Sequence, residues 1–332
     1  MTPTLVGIGA LVAFAVAAIL VRLSIPLLAR RLPDIPNARS SHAKPVPRGG
    51  GIGAGLGLLA GLAVFATSGM PPAAYLVVAC AVFLAAISLL DDARPMRARY
   101  RLVAQVAAVG FGLWIYAPAL ALPDILPGWL WLTITGLGWL WFVNLYNFMD
   151  GIDGISGAET IALGIGIAAV WLAAGNPADW NFPVAIGIAA AAAMAGFLVW
   201  NRHPARIFLG DVGSIPLGFL LGAALLDIAG SGALEAAVIL PLYYLADATI
   251  TLLRRLFRGE KVWLAHREHF YQRAANENGR GPVAVVTAIT FCNLGLVFAA
   301  IWSVDGIPGV GLAIAALLVA GTLFHLNRRP GS

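Results

Sequence analysis

Asn144, Asn147, Asp150 and Asp153 follow one another at intervals of three residues. On a helix this spacing drifts slowly around one side, so two amides and two carboxylates could face one site. Such a face suits a cation or a phosphate; the same residue types also suit helix capping in a solvated loop. Asp91 and Asp92 are adjacent at the end of an apolar run. Neighbouring carboxylates attract a divalent cation, and oxygen-only ligation suits Mg²⁺, whereas salt bridges to Arg94 or Arg97 would be a purely structural use. Asp211 and Ser214, flanked by Gly210 and Gly213, stand where a helix starts, just after Asn201 and Phe208. Backbone donors and a carboxylate could there bracket a metal-bound phosphate, or Asp211 could serve as an N-cap.

Two basic stretches complete the inventory. His266, Arg267, His269 and Gln272 can all donate to phosphate oxygens. A zinc site from His266 and His269 lacks an accompanying cysteine. His42, Lys44 and Arg48 precede a glycine run, 49–51, behind the proline-stiffened turn at Pro45 and Pro47. That arrangement suits an anion approached closely by backbone, and equally a positive anchor before a glycine-rich packing helix. Asp247 lies about two turns before Arg254, and an acid inside a span is either functional or the partner of a basic neighbour.

These groups must be positioned by membrane helices. Of 332 residues 60% are hydrophobic and 11% charged, with a mean hydropathy of +0.86, far from a soluble domain. Spanning takes ~20 apolar residues, and eleven stretches qualify, at about 3–24, 50–68, 73–90, 102–122, 128–146, 156–174, 182–200, 214–230, 233–256, 283–303 and 307–325. They predict an all-α polytopic protein, a single transmembrane domain over 1–332. The first charged residue is Arg22, so the first run reads as a span rather than a signal peptide. All 21 Lys and Arg residues fall on one side of the eleven-span arrangement. Because positive residues are retained in the cytoplasm, the N-terminus is expected outside, and the C-terminus and polar clusters inside. The pI of 9.6 then reflects topology and anionic-lipid contact rather than nucleic-acid binding. Cys80 and Cys292 lie within spans and read as small buried hydrophobes.

The ordered set resembles the polyprenyl-phosphate N-acetylhexosamine-1-phosphate transferases (glycosyltransferase family 4), which include the phospho-N-acetylmuramoyl-pentapeptide translocases. The carriers are Asp91 and Asp92; the Asn144, Asn147, Asp150, Asp153 run; Phe208, Gly210, Asp211, Gly213 and Ser214; and the His266 to His269 loop. The resemblance spans nearly the whole chain. It implies transfer of a sugar-1-phosphate from a UDP-activated amino sugar to undecaprenyl phosphate in the bacterial inner membrane, with Mg²⁺ (or Mn²⁺ in its place) and release of UMP; a homodimer is compatible with it. It also implies roles: Asp211 as chief metal ligand, with Asp91 and Asp92 holding metal or orienting lipid phosphate. Asn147, Asp150 and Asp153 would contact the nucleotide diphosphate, Phe208 the uracil, and His266 and His269 phosphate. Asn144, Asn201, Arg267, His42, Lys44 and Arg48 complete the expected substrate set. One departure is Glu268, where many members carry a third histidine. The resulting pattern looks like the branch that initiates O-antigen or related surface polysaccharides rather than peptidoglycan. A nucleotide-sugar or polyprenyl-lipid transporter is the rival from another class, but it would place polar groups near the midplane and show related halves.

Overall fold

The computed structural model describes residues 1–36, 44–94, 96–116, 127–176, 182–262 and 266–329. Among them are thirteen helices: α1 (Pro3–Arg31), α2 (Gly51–Ala66), α3 (Pro72–Ala93), α4 (Ala98–Tyr116), α5 (Gly128–Phe148), α6 (Ile155–Ala173), α7 (Phe182–Asn201), α8 (Asp211–Gly230), α9 (Leu234–Ile239), α10 (Leu242–Phe257), α11 (Phe270–Asn276), α12 (Gly281–Trp302) and α13 (Val310–Asn327). Each of the eleven apolar stretches contains a helix. Seven helices, α1, α3, α6, α7, α8, α12 and α13, are long and apolar enough to cross a membrane, and the protein is an all-α polytopic membrane protein.

Burial sorts the helices. α6, α7 and α8 are mostly enclosed, whereas α1, α3, α12 and α13 leave Leu11, Leu23, Phe83, Phe291, Phe298 and Leu317 exposed. A helix satisfies its own backbone, so such apolar outer faces are what a lipid-facing ring requires. α8 packs against α3, α5 and α7, and thereby carries its N-terminus into the middle of the bundle's polar end. Two polar bonds tie the interior: Asn293 on α12 donates to Glu159 on α6 at 2.6 Å, and the Trp139 indole on α5 donates to the Phe219 carbonyl at 3.0 Å.

Three features depart from the expected spans. The stretch at 233–256 is two helices, α9 and α10, because Pro241 lacks the N–H that a continuous helix would use. α10 then turns Tyr243, Tyr244, Asp247, Thr251 and Arg255 inward and Leu253, Leu256 and Phe257 outward, the reverse of a soluble helix. α11 was not foreseen, nor was the two-residue antiparallel pair Pro33–Asp34 with Val46–Pro47. That pair pins the start of α2 beneath the end of α1.

α6 and α7 approach so closely at Gly164 and Gly187 that a Cβ on either would collide with the other's carbonyl. Small residues let membrane helices pack in this way. Gly164→Val should therefore destabilise the detergent-solubilised protein by about 1–3 kcal/mol, read as a lowered thermal midpoint. Gly138, with open space around its Cα, should accept Ala without loss. Equal midpoints for both variants would refute this packing.

Candidate active site

The polar end is built around the start of α8. Gly210 has φ +75°, a left-handed conformation open to glycine, and it turns the 207–209 segment into the helix. That segment runs beside the entry to α2: Phe208 N–H donates to the Pro47 carbonyl at 2.8 Å, Gly50 N–H to the Phe208 carbonyl at 2.8 Å, and Gly51 N–H to the Leu209 carbonyl at 2.9 Å. Gly51 and Gly213 touch backbone to backbone, with no room for a Cβ on Gly51. A side chain on Gly210 would press on Asp92 Oδ2 and Gly49 N. The glycines thus draw together the N-termini of α2 and α8 and the C-terminus of α3.

Asp91 and Asp92 lie in the last turn of α3, and Arg101 in the first turn of α4. Each sign of charge is unfavourable at its own helix end, and the two offset each other. Arg101 Nη1 donates to Asp91 Oδ2 at 2.9 Å and to Asp211 Oδ2 at 3.0 Å, and Met96 N–H donates to Asp91 Oδ1 at 2.6 Å. From α5, Asn147 Nδ2 donates to Asp211 Oδ1 at 2.8 Å and to Ser214 Oγ at 2.9 Å. Asp92 Oδ2 is buried with no hydrogen-bond partner. A carboxylate oxygen in that position is costly unless something positive meets it.

The four polar residues spaced by three do not share one helical face. α5 ends at Phe148, and Gly154, with φ +83°, sets the turn into α6, so Asp150 and Asp153 lie beyond the helix. Asn144 points to α4, donating to Gln105 Oε1 at 2.9 Å. Asn147 reaches Asp211. Asp150 accepts from Ser156 Oγ at 2.6 Å. Asp153 meets His203 Nδ1 at 2.7 Å and Ala205 N–H at 3.0 Å, while Asn201 accepts from Gly154 N–H and donates to the Ile207 carbonyl, both at 2.9 Å. Asp153 and Asn201 thus brace the two loops against each other.

His42 lies outside the described residues; Lys44 is exposed. Arg48 pairs with Asp34 at 3.0 Å. The His loop forms a second wall. The His266 and His269 rings stack at 4.8 Å, with Arg267 between them in the chain. Burial, then the His269 charge, pulls the His266 pKa down to about 4. Glu268 pairs with Arg258 and lies 3.6 Å from Arg255 Nε, so the departure from a third histidine fastens the loop to the end of α10. Tyr271 Oη donates to the Phe148 carbonyl at 2.9 Å. Gly151 is required beneath it, since a Cβ there would strike Tyr271 and Gln272.

Arg101 escaped the sequence reading, where it counted only as one positive residue among many. The available signal was its place at the start of the helix that follows the paired acids. No group of three or more His, Cys, Asp or Glu side chains among the described residues closes around a common point. The donors nonetheless suit a hard cation: Asp92 offers an unpartnered buried oxygen and Asp211 stands across from it, and Mg²⁺ takes only one or two carboxylates when phosphates and waters complete its shell.

A bundle of apolar-faced helices with carboxylates, amides and cationic side chains gathered at one end defines an integral membrane protein with a polar cluster at one end of its bundle. Residues 74–229 match the profile of glycosyl transferase family 4. Over 84% of its length the chain is 26% identical to the probable undecaprenyl-phosphate N-acetylglucosaminyl 1-phosphate transferase of Bacillus subtilis, covering 82% of that protein. It is 29% identical over 91% of its length to the decaprenyl-phosphate N-acetylglucosaminephosphotransferase of Mycobacterium tuberculosis, covering 85% of it. With the phospho-N-acetylmuramoyl-pentapeptide-transferase of Moorella thermoacetica it shares 34% identity over 42% of its length and 48% of the relative's. Over residues 74–229 the chain thus resembles glycosyl transferase family 4.

Burial raises the Asp150 pKa from 3.8 to about 7, partly countered by Ser156, with Asp211 adding to the rise. The folded state then holds a proton that the unfolded state releases, so this group's contribution to stability declines as pH rises from about 4 through 7. Asp150→Asn removes the decline. In EDTA, the thermal midpoint of the variant relative to wild type should be higher at pH 8 than at pH 5; an unchanged difference would mean that Asp150 titrates as an ordinary carboxylate.

Proposed function

We propose that the protein transfers an N-acetylhexosamine-1-phosphate from a UDP-sugar to undecaprenyl phosphate and releases UMP, the first membrane step in assembling a surface glycan. The observation that carries the reading is the linkage of Asp91 and Asp211 through Arg101, with Asn147 on the second Asp211 oxygen and Asp92 beside them. Relatives matched over more than four fifths of the chain are named for N-acetylglucosamine phosphate transfer to a polyprenyl phosphate. The muramoyl-pentapeptide relative matches less than half of it, which favours the surface-glycan substrate. We place the active end in the cytoplasm of a bacterium, with the N-terminus outside, on the one-sided distribution of Lys and Arg.

The lipid phosphate attacks the sugar-bearing phosphorus; a P–O bond to the lipid forms as the diphosphate bridge breaks, and UMP leaves with that bond's electron pair. A phosphate monoester with a second pKa of about 6 is mostly dianionic near neutrality, so the nucleophile needs no strong base. Mg²⁺ held by Asp211 and Asp92 would supply the charge neutralisation that phosphoryl transfer depends on. Arg101, held by Asp91 and Asp211, can share that work from its place beside them, and the His266 and His269 wall can donate to phosphate oxygens. Asp91 has both oxygens engaged, which makes it a poor nucleophile and favours direct displacement over a phospho-aspartate. Phe208, half-buried between the α2 and α8 entries, offers the uracil a ring.

The test incubates purified protein with undecaprenyl phosphate, Mg²⁺ and a panel of UDP-amino sugars that includes the muramoyl-pentapeptide. UMP should appear in equimolar amount with lipid-linked sugar phosphate, for an N-acetylhexosamine and not for the pentapeptide. Asp211→Asn should lower kcat by about a hundredfold or more, the scale of losing a preorganised electrostatic contact in a transition state. If no sugar yields UMP while the nucleotide sugar crosses liposomes, the protein is a transporter.

A further inference from the structure

Asp247 has no part in the site as described, yet it is the most heavily coordinated carboxylate among the described residues. It is 0% exposed, on the inward face of α10. Its Oδ1 meets Phe270 N–H at 3.0 Å, His269 Nδ1 at 3.2 Å and Thr251 Oγ1 at 3.4 Å. Its Oδ2 meets Tyr271 N–H at 3.1 Å and Tyr243 Oη at 3.1 Å. Two oxygens offer about four lone-pair positions, so the side chain is saturated, with Thr251 the longest contact. Two of the donors are the first backbone N–H groups of α11, which have no partner inside their own helix.

Backbone N–H groups only donate, so both oxygens act as acceptors, and the ring nitrogen that meets Oδ1 must bring its own proton. That fixes His269 with a proton on Nδ1. The ring is held flat between His266 at 4.8 Å and Tyr271 at 5.7 Å, and Nε2 is the nitrogen left for a ligand, to which the imidazolium form can donate. The same carboxylate sets the register of α11, and through Tyr271 Oη to the Phe148 carbonyl it sets the distance between the His wall and the loop that carries Asp150.

We infer that Asp247 is a positioning residue that orients His269, and with it the phosphate-facing wall, through the hydrogen bond to Nδ1 and the two bonds to the start of α11. This rests on the transferase reading for its consequence, though not for its geometry. Removing a carboxylate that orients a working histidine characteristically costs 10–100-fold in metal sites, and a similar loss is expected here. Because Asp247 acts through His269, the two should not be additive.

The test has two arms. In the first, UMP release is measured for Asp247→Asn, His269→Gln and the double variant. Each single change should lower kcat by about tenfold or more, and the double should fall within about twofold of His269→Gln alone. A double variant whose loss is the product of the two single losses would overturn the inference, since a residue that merely held the fold would act independently of His269. In the second arm, wild-type protein labelled with ¹⁵N-histidine gives an imidazole spectrum in nanodiscs, with the His269 signals identified by their loss in His269→Gln. Nδ1 should be protonated, and the signal should move in Asp247→Asn. An unprotonated Nδ1 in the wild type overturns the inference even where the Asp247 variant does not fold. A wild type that releases no UMP at all would defeat the transferase reading and leave the imidazole spectrum to decide the Asp247–His269 linkage.

Discussion

Three carboxylates, Asp91, Asp92 and Asp211, are forced together where a bundle of apolar helices meets the interface, and nearly every unusual feature of the polar end answers to that crowding. Like charges at such depth repel strongly because the surroundings screen them poorly. Arg101 neutralises two of them at 2.9 and 3.0 Å. Asn147 and Met96 supply neutral donors. The third, Asp92, keeps an oxygen unpartnered, so charge balance within the chain is incomplete. Within the chain, Arg101 is the cation that bridges Asp91 and Asp211.

The crowding also explains where glycine is indispensable. α8 can bring Asp211 to the acids of α3 only because Gly210 takes a left-handed turn and because Gly51 and Gly213 let two helix starts touch. The second wall follows a different rule. It is held by polar anchors, the buried Asp247 under α11 and the partly exposed Glu268 on Arg255 and Arg258, so a loop rich in donors can stay fixed while leaving them available to a phosphate-bearing ligand.

Much of this was legible in the sequence because the membrane imposes long-period signals. Each of the eleven apolar stretches overlaps a helix among the described residues, and the clusters of Asp, Asn and His stand near helix ends. What was not legible depended on non-local geometry. The helical reading of Asn144, Asn147, Asp150 and Asp153 failed because Gly151 and Gly154 follow Phe148 and the chain leaves the helix there. Arg101 was hidden because one of its partners lies 110 residues away, and basic residues at that face already had an explanation in topology. Asp247 could be placed in a span, but the donors that saturate it come largely from a loop more than twenty residues downstream. Glu268 looked like a lost histidine until its arginine partners on α10 were in view.

The central claim is that the carboxylates at the polar end form a divalent-cation site completed by a phosphate-bearing ligand. Its most direct test is Mn²⁺ binding to purified protein with UDP present, followed by electron paramagnetic resonance and repeated in Asp92→Asn and Asp211→Asn. The account predicts one saturable Mn²⁺ per chain, displaced by Mg²⁺ and weakened by about tenfold or more in either variant. Absence of saturable binding, or binding indifferent to both substitutions, would contradict it.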